Sequence, residues 1–148
     1  SSYVDLPIEE GGTILTGGKT PEIGTEFEGG NWISPVVVEG LSHESRCATE
    51  EIFGPLVTLH RFFDDDEAVK ISNNTRYGLA GSIWTKDSSR GEKIAKKMDT
   101  GMVWINTWLH RDLRVPFGGV KDSGVGREGG KWSLGFYSEA SNICIMDD

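Results

Sequence analysis

The chain has 148 residues, which sets an expectation of one domain on the usual scale of about 100–200 residues and suffices to close a core without disulfides or metals. Fifteen Lys plus Arg against 23 Asp plus Glu leave a net charge of −8. That balance argues against nucleic-acid or anionic-membrane partners, which select clustered positive charge. No apolar run nears the roughly 18 residues of a membrane span, and the first ten residues lack a basic-then-apolar leader pattern.

In chain order, residues 4–10 read as the end of a helix, closed by Gly11-Gly12 as a left-handed cap. Residues 13–16 (TILT) form a β-branched strand, and 21–30 a polar loop. Residues 31–38 (NWISPVVV) are strand-like, with Pro35 pointing to an edge or an irregular section. A helical turn is expected near 45–51, then a strand over 56–62. Asp64 opens a helix to Asn73 whose acidic first turn suits the macrodipole. Residues 79–84 are an apolar strand, and Asp87 or Ser88 caps a helix to Met98. Residues 102–105 (MVWI) are a wholly apolar strand, as in a covered parallel sheet. This alternation predicts an α/β fold with an open parallel sheet. Residues 106–130 break the rhythm with Gly, Pro and Arg, as functional loops do. A short helix over 131–137, a strand over 139–145 and an acidic tail complete the chain.

Twenty glycines are about 14% of the residues, roughly twice the usual share. Half of them lie in adjacent pairs, and they form no repeat. Residues 124–129 match GxGxxG, but no proper strand precedes them and no acid-bearing strand follows, so no dinucleotide fingerprint is expected. Cys47 and Cys144 make neither a disulfide framework nor a CxxC motif. A reducing, cytoplasmic setting fits. Cys47 follows Arg46, but Glu50 and Glu51 oppose a thiolate. Cys144, in an apolar stretch, reads as a small hydrophobe. His43, His60 and His110 have no partners at metal-ligand spacing, and no metal is expected.

Two clusters admit both a bland and a functional reading. Glu50-Glu51-Ile-Phe53-Gly-Pro55 is an acidic segment before a strand, or a carboxylate held by a turn to meet sugar hydroxyls beside an aromatic wall. Arg111 and Arg114 flank Asp112. They form a salt-bridged loop, or a site for bidentate carboxylate recognition.

EEIFGP at 50–55, NNTRYGLAGSIWTKD at 73–87, VWIN at 103–106, PFGGVKDSGVGRE at 116–128 and the closing Tyr137-Ser-Glu139 together resemble, in order and spacing, the C-terminal part of the NAD(P)-dependent aldehyde dehydrogenases. NTWLHRDLRVPFGG is most similar to the branch acting on 2-hydroxymuconic and 2-aminomuconic semialdehydes. The resemblance implies that Glu51 bonds the nicotinamide ribose hydroxyls and that Phe53 packs beside the nicotinamide. It implies that Asn106 to Phe117 line the aldehyde entrance, with Phe117 as a wall. Glu128 matches a buried glutamate that supports proton transfer from the general base. Arg111 and Arg114 stand where dehydrogenases of simple apolar aldehydes tend to carry aromatic or neutral residues, which implies a substrate with a carboxylate remote from its aldehyde. A strand over 138–146 matches the arm that pairs with another subunit, so a homo-oligomer is implied. On this reading residues 1–137 are an incomplete catalytic domain and 138–148 the oligomerisation strand and tail.

In the family a cysteine thiolate, in a motif like GQxC, attacks the aldehyde. Hydride passes to NAD, and a glutamate-activated water releases the acid. This chain has no GQxC, and neither of its cysteines matches that position. The general-base glutamate, the oxyanion-binding asparagine and the dinucleotide-binding domain have no counterpart in it either. The expectation is a C-terminal piece of such an enzyme, beginning within a helix and inactive alone. NAD follows from the branch, and NADP stays open. A non-enzymatic module that pairs through its terminal strand is the alternative.

Overall fold

The computed structural model describes residues 2–27 and 29–147. They divide into two compact units, Ser1–Thr75 and Arg76–Asp148.

The first unit opens with α1 (Ser2–Glu9). Gly11, at φ +83°, ends it. Gly12 N–H donates to the Pro7 carbonyl at 2.8 Å and Gly11 N–H to that of Ile8 at 3.0 Å, the paired bonds of a Schellman closure. β1 (Thr13–Thr16) then runs antiparallel to β2 (Val36–Glu39), which pairs in parallel with β3 (Leu56–Leu59). β2 is therefore the central strand, not an edge, and it starts only after Pro35. Proline has no N–H to give to a ladder. The first ladder donor is Val36, whose N–H reaches the Pro55 carbonyl at 2.7 Å. β3 stops at Leu59, short of the expected residue 62, because its partner ends where Gly40 turns at φ +79°.

The pleat gives this sheet two unlike faces. Val36 and Val38 point inward and, with Leu41 and Cys47, form the buried core, packed by Tyr3, Leu6, Ile14 and Leu56. Val57 and Leu59 point outward and are exposed. Between β2 and β3 lies α2 (Arg46–Thr49), capped by Ser45, whose hydroxyl accepts from Ala48 N–H. Glu10, just past α1, also holds this helix. Its carboxylate accepts from the N–H groups of Arg46 at 2.7 Å and Cys47 at 3.1 Å. α3 (Asp65–Asn73) is capped by Asp64, as its acidic start foretold.

The second unit contains a parallel βαβ unit. β5 (Ala80–Ile83), α4 (Ser88–Ala95) and β6 (Met102–Ile105) follow in order, with Ala80 to Ile83 in register with Met102 to Ile105. Asp87 caps α4. Gly91 is buried on α4, and a Cβ there would come within 3.0 Å of Thr85 and 3.1 Å of Ile105, so a bare backbone is what lets the helix lie on β6. The apolar run from Leu79 divides at that residue. Before it, β4 (Tyr77–Gly78) pairs antiparallel with β7 (Val120–Lys121). The loop after β6 therefore contains a strand that its sequence did not announce. α5 (Gly130–Phe136) follows.

The α/β class holds, with the strands in three small open sheets of mixed direction. The expected strand over 139–145 is not formed: the described residues 138–147 carry no regular secondary structure and are exposed. A strand exists only by its ladder, and no described segment pairs with them. Cys144 is accordingly exposed, not a buried small hydrophobe.

Candidate functional site

The carboxylates at 50 and 51 are adjacent in sequence but differ in surroundings. Glu50 caps the end of α2, its N–H reaching the Arg46 carbonyl. Its carboxylate takes Nε and Nη2 of Arg46 at 2.9 and 3.0 Å and the Tyr3 hydroxyl at 2.5 Å. The bond to Glu50 raises the Tyr3 phenol above its ordinary value. Glu50 is thus a structural tie. Glu51 is exposed and takes part in none of these bonds.

Two residues on, Phe53 has φ +51°, a backbone state that bulky residues rarely take. Its ring is 93% exposed. The Gly54-Pro55 turn follows, and Leu56 N–H reaches the Gly54 carbonyl at 2.8 Å. Phe53 rims an apolar cleft of about 260 Å³ formed with Tyr3, Ile33, Ile52 and Pro55. The turn thus displays a strained aromatic residue two positions after an exposed carboxylate.

In the second unit the chain leaves β6 through Asn106, at φ +56°. Its N–H bonds the Ile83 carbonyl at 2.8 Å, and its Oδ1 accepts from Thr85 N–H at 2.8 Å. Asn106 therefore ties the ends of β5 and β6 together. Trp104 Nε1 donates to the His110 carbonyl at 2.9 Å, and Trp104 and Trp108 stack edge to face. These contacts fold the following loop back on the strand.

Three residues that the sequence singled out then converge. Phe117 and Glu128 exchange backbone hydrogen bonds of 2.9 and 2.8 Å. Arg111 sits over the Phe117 ring, its Cζ 4.0 Å from the centroid, and its Nη2 donates to Glu128 Oε1 at 3.0 Å. Phe117 and Glu128 also line a cavity of about 390 Å³ with Gly119, Ser123, Arg127 and Phe136. Arg127 was missed from sequence, although it braces this turn through bonds to the Gly119 and Gly126 carbonyls. Glu128 is not buried: its side chain is 62% exposed. Arg111 covers one side of it, and one backbone bridge cannot shield a carboxylate.

Arg114 stands apart from that trio. Its partner is Asp112, with Nη2 to Oδ2 at 2.6 Å, and its side chain is 87% exposed. The Arg114 guanidinium holds the Asp112 carboxyl below its usual range. Both arginines therefore pair within the chain, as the salt-bridged reading anticipated.

The GxGxxG match is a turn, with Gly124, Gly126 and Gly129 all at positive φ. Cys47 is buried. Desolvation first, then the Glu10 carboxylate, push its thiol up to about 12, which suits packing and not nucleophilic attack. His43 and His60 stack with centroids 5.0 Å apart, and no three ligating side chains gather around them or elsewhere among the described residues. No described helix is long and apolar enough to cross a membrane.

Comparison with known proteins places the chain in a family. Residues 1–143 match the aldehyde dehydrogenase family, and the chain belongs to it. It is 48% identical over 147 residues to a 2-aminomuconic 6-semialdehyde dehydrogenase of Pseudomonas sp.. It is 46% identical over 144 residues to a 2-hydroxymuconic semialdehyde dehydrogenase of Pseudomonas sp. strain CF600. These matches cover 99% and 97% of the chain, and the chain spans 30% of the length of each relative. A betaine aldehyde dehydrogenase from Staphylococcus aureus, crystallised with NAD+, superposes with a TM-score of 0.87 at 39% identity, over 92% of this chain and 27% of that one.

Proposed function

We propose that this chain forms the C-terminal part of an NAD-linked aldehyde dehydrogenase that oxidises a semialdehyde bearing a remote carboxylate. The observation that carries the reading is Arg114, a guanidinium displayed to solvent on the loop between Asn106 and Phe117. Guanidinium recognises carboxylate through paired, charge-assisted hydrogen bonds. The muconic semialdehyde dehydrogenases among its relatives support the same substrate class.

The residues present fit the nicotinamide end of NAD, which accepts hydride from the aldehyde carbon when bound. Glu51 offers an uncommitted carboxylate to the ribose hydroxyls, and the Phe53 ring a flat apolar face. NADP is compatible with the same two contacts. Phe117 walls the aldehyde entrance, and Asn106 anchors the loop that forms it. Glu128 supports proton transfer from the general base, and Arg111 fixes where its carboxylate lies. The nucleophile is not in this chain, because Cys47 is buried with a raised pKa and Cys144 sits in the exposed tail. A cytoplasmic setting accompanies this reading.

In the complete enzyme, Arg114→Ala should raise KM for an acid semialdehyde about 10- to 100-fold, the worth of one charge-assisted hydrogen bond at roughly 1.5–3 kcal/mol. KM for a neutral aldehyde such as benzaldehyde should stay unchanged. Equal effects on both would overturn the carboxylate role.

A pairing role for the tail rests on a separate observation. Ile143, Ile145 and Met146 stand 81%, 79% and 91% exposed in a segment without regular structure, free to take up strand addition to a second copy of the chain. Asn142→Pro should abolish concentration-dependent association in sedimentation velocity, and unchanged association would remove this role.

A further inference from the structure

The Arg114 guanidinium is held by a carboxylate only two residues away, and the contact fills one edge of it. Asp112 Oδ1 accepts from the backbone N–H of Arg114 at 2.9 Å and from its Nε at 2.9 Å. Oδ2 accepts from Nη2 at 2.6 Å and Nε at 3.1 Å. The Asp112 carbonyl accepts from Val115 N–H at 3.2 Å, so the same residue closes the turn that carries the arginine. A guanidinium has five N–H donors in one plane. With the Nε–Nη2 edge filled, one Nη1 hydrogen and the second Nη2 hydrogen are left side by side on the adjoining Nη1–Nη2 edge, the other Nη1 hydrogen lying on the Cδ side. That edge belongs to a side chain 87% exposed.

We propose that Asp112 is a positioning residue for substrate selection, clamping one edge of Arg114 so that the other meets the substrate carboxylate end-on. This rests on the acid-semialdehyde reading above and adds to it how the arginine is aimed. An unrestrained arginine gives up much rotamer freedom when it binds an anion. The Asp112 fork removes that freedom beforehand. It also neutralises the pair, so recognition depends on direction more than on net charge. Arg111 cannot serve in the same way, since its guanidinium is stacked on Phe117 and bonded to Glu128.

Asp112→Asn separates the two jobs of this residue. Its side-chain oxygen can still accept the backbone N–H and keep the turn, while its amide NH2 faces Nη2 as a second donor and breaks the fork. In the complete enzyme this variant should raise KM for an acid semialdehyde about 2- to 5-fold, in keeping with the modest worth of an exposed pair. The expected kcat, and KM for a neutral aldehyde of equal length, are those of the wild type. In an Arg114→Ala background the substitution should add nothing. Wild-type kinetics in Asp112→Asn would reduce Asp112 to a turn former. A lowered KM would make it a competitor of the substrate. A rise shared by the neutral aldehyde, or additivity with Arg114→Ala, would make its effect general. Each of these overturns the proposal. If Arg114→Ala itself fails to discriminate acid from neutral aldehydes, the acid-semialdehyde reading falls; if it discriminates while Asp112→Asn is silent, only the positioning role falls.

Discussion

Cys47 and Cys144 show how far environment outweighs identity. Cys47 packs among Val36, Val38 and Leu41, and with its pKa pushed up to about 12 it holds almost no thiolate near neutral pH. Cys144 is exposed in the tail. A disulfide reagent such as DTNB at pH 8 should therefore release one equivalent of thiol from the folded chain and two once it is unfolded. Two equivalents from the folded chain would contradict the packing of Cys47. Sequence could see that Glu50 and Glu51 oppose a thiolate there, but it could not tell the two apart. That distinction came from Tyr3 and Arg46, which both bind Glu50. The positive φ of Phe53 was equally silent, because no glycine marks the position. The resemblance matches Glu128 to a glutamate that is buried in the family, and in this chain its carboxylate is exposed and paired with Arg111.

At the scale of elements, what was legible was what local chemistry decides. Asp64 and Asp87 cap α3 and α4, and the apolar run Met102 to Ile105 is β6. What failed was decided by partners: β2 and β3 are trimmed by each other's ends, β7 exists only because Tyr77 and Gly78 lie opposite it, and the tail lacks a ladder. One long-range clasp was also invisible, that of Glu10 on the first N–H groups of α2. Desolvation works to raise the Glu10 carboxyl, but the N–H groups of Arg46 and Cys47 outweigh it, and the net shift is downward. Because the folded value is depressed, the clasp contributes fully above the unfolded carboxylate range and is lost as pH falls through the folded value. Glu10→Ala should cost about 1 kcal/mol at pH 7, as helix caps do, with the difference shrinking toward pH 3. Urea unfolding at both pH values measures this, and a pH-independent difference would refute the clasp.

At the scale of the molecule, the residues classed as buried and apolar (Val36, Val38, Leu41 and Cys47) all belong to the first unit. Both units also expose large apolar side chains, Phe53 and Phe63 in the first and Trp84, Trp108, Leu113, Leu134 and Phe136 in the second among them. Exposed apolar surface on this scale marks faces that other protein covers, in keeping with a chain that spans 30% of the length of its relatives. The glycine-rich stretch, conspicuous at the outset, serves the same end: it lets the turn carrying Glu128 close on Phe117. On the proposed function, this chain supplies binding and positioning residues, and residues outside it carry the covalent chemistry. The most direct test is to supply the purified 148-residue chain with NAD and an acid semialdehyde and follow reduced nicotinamide. No formation above the enzyme-free rate is predicted. Sustained formation matched mole for mole by aldehyde consumption would contradict the account.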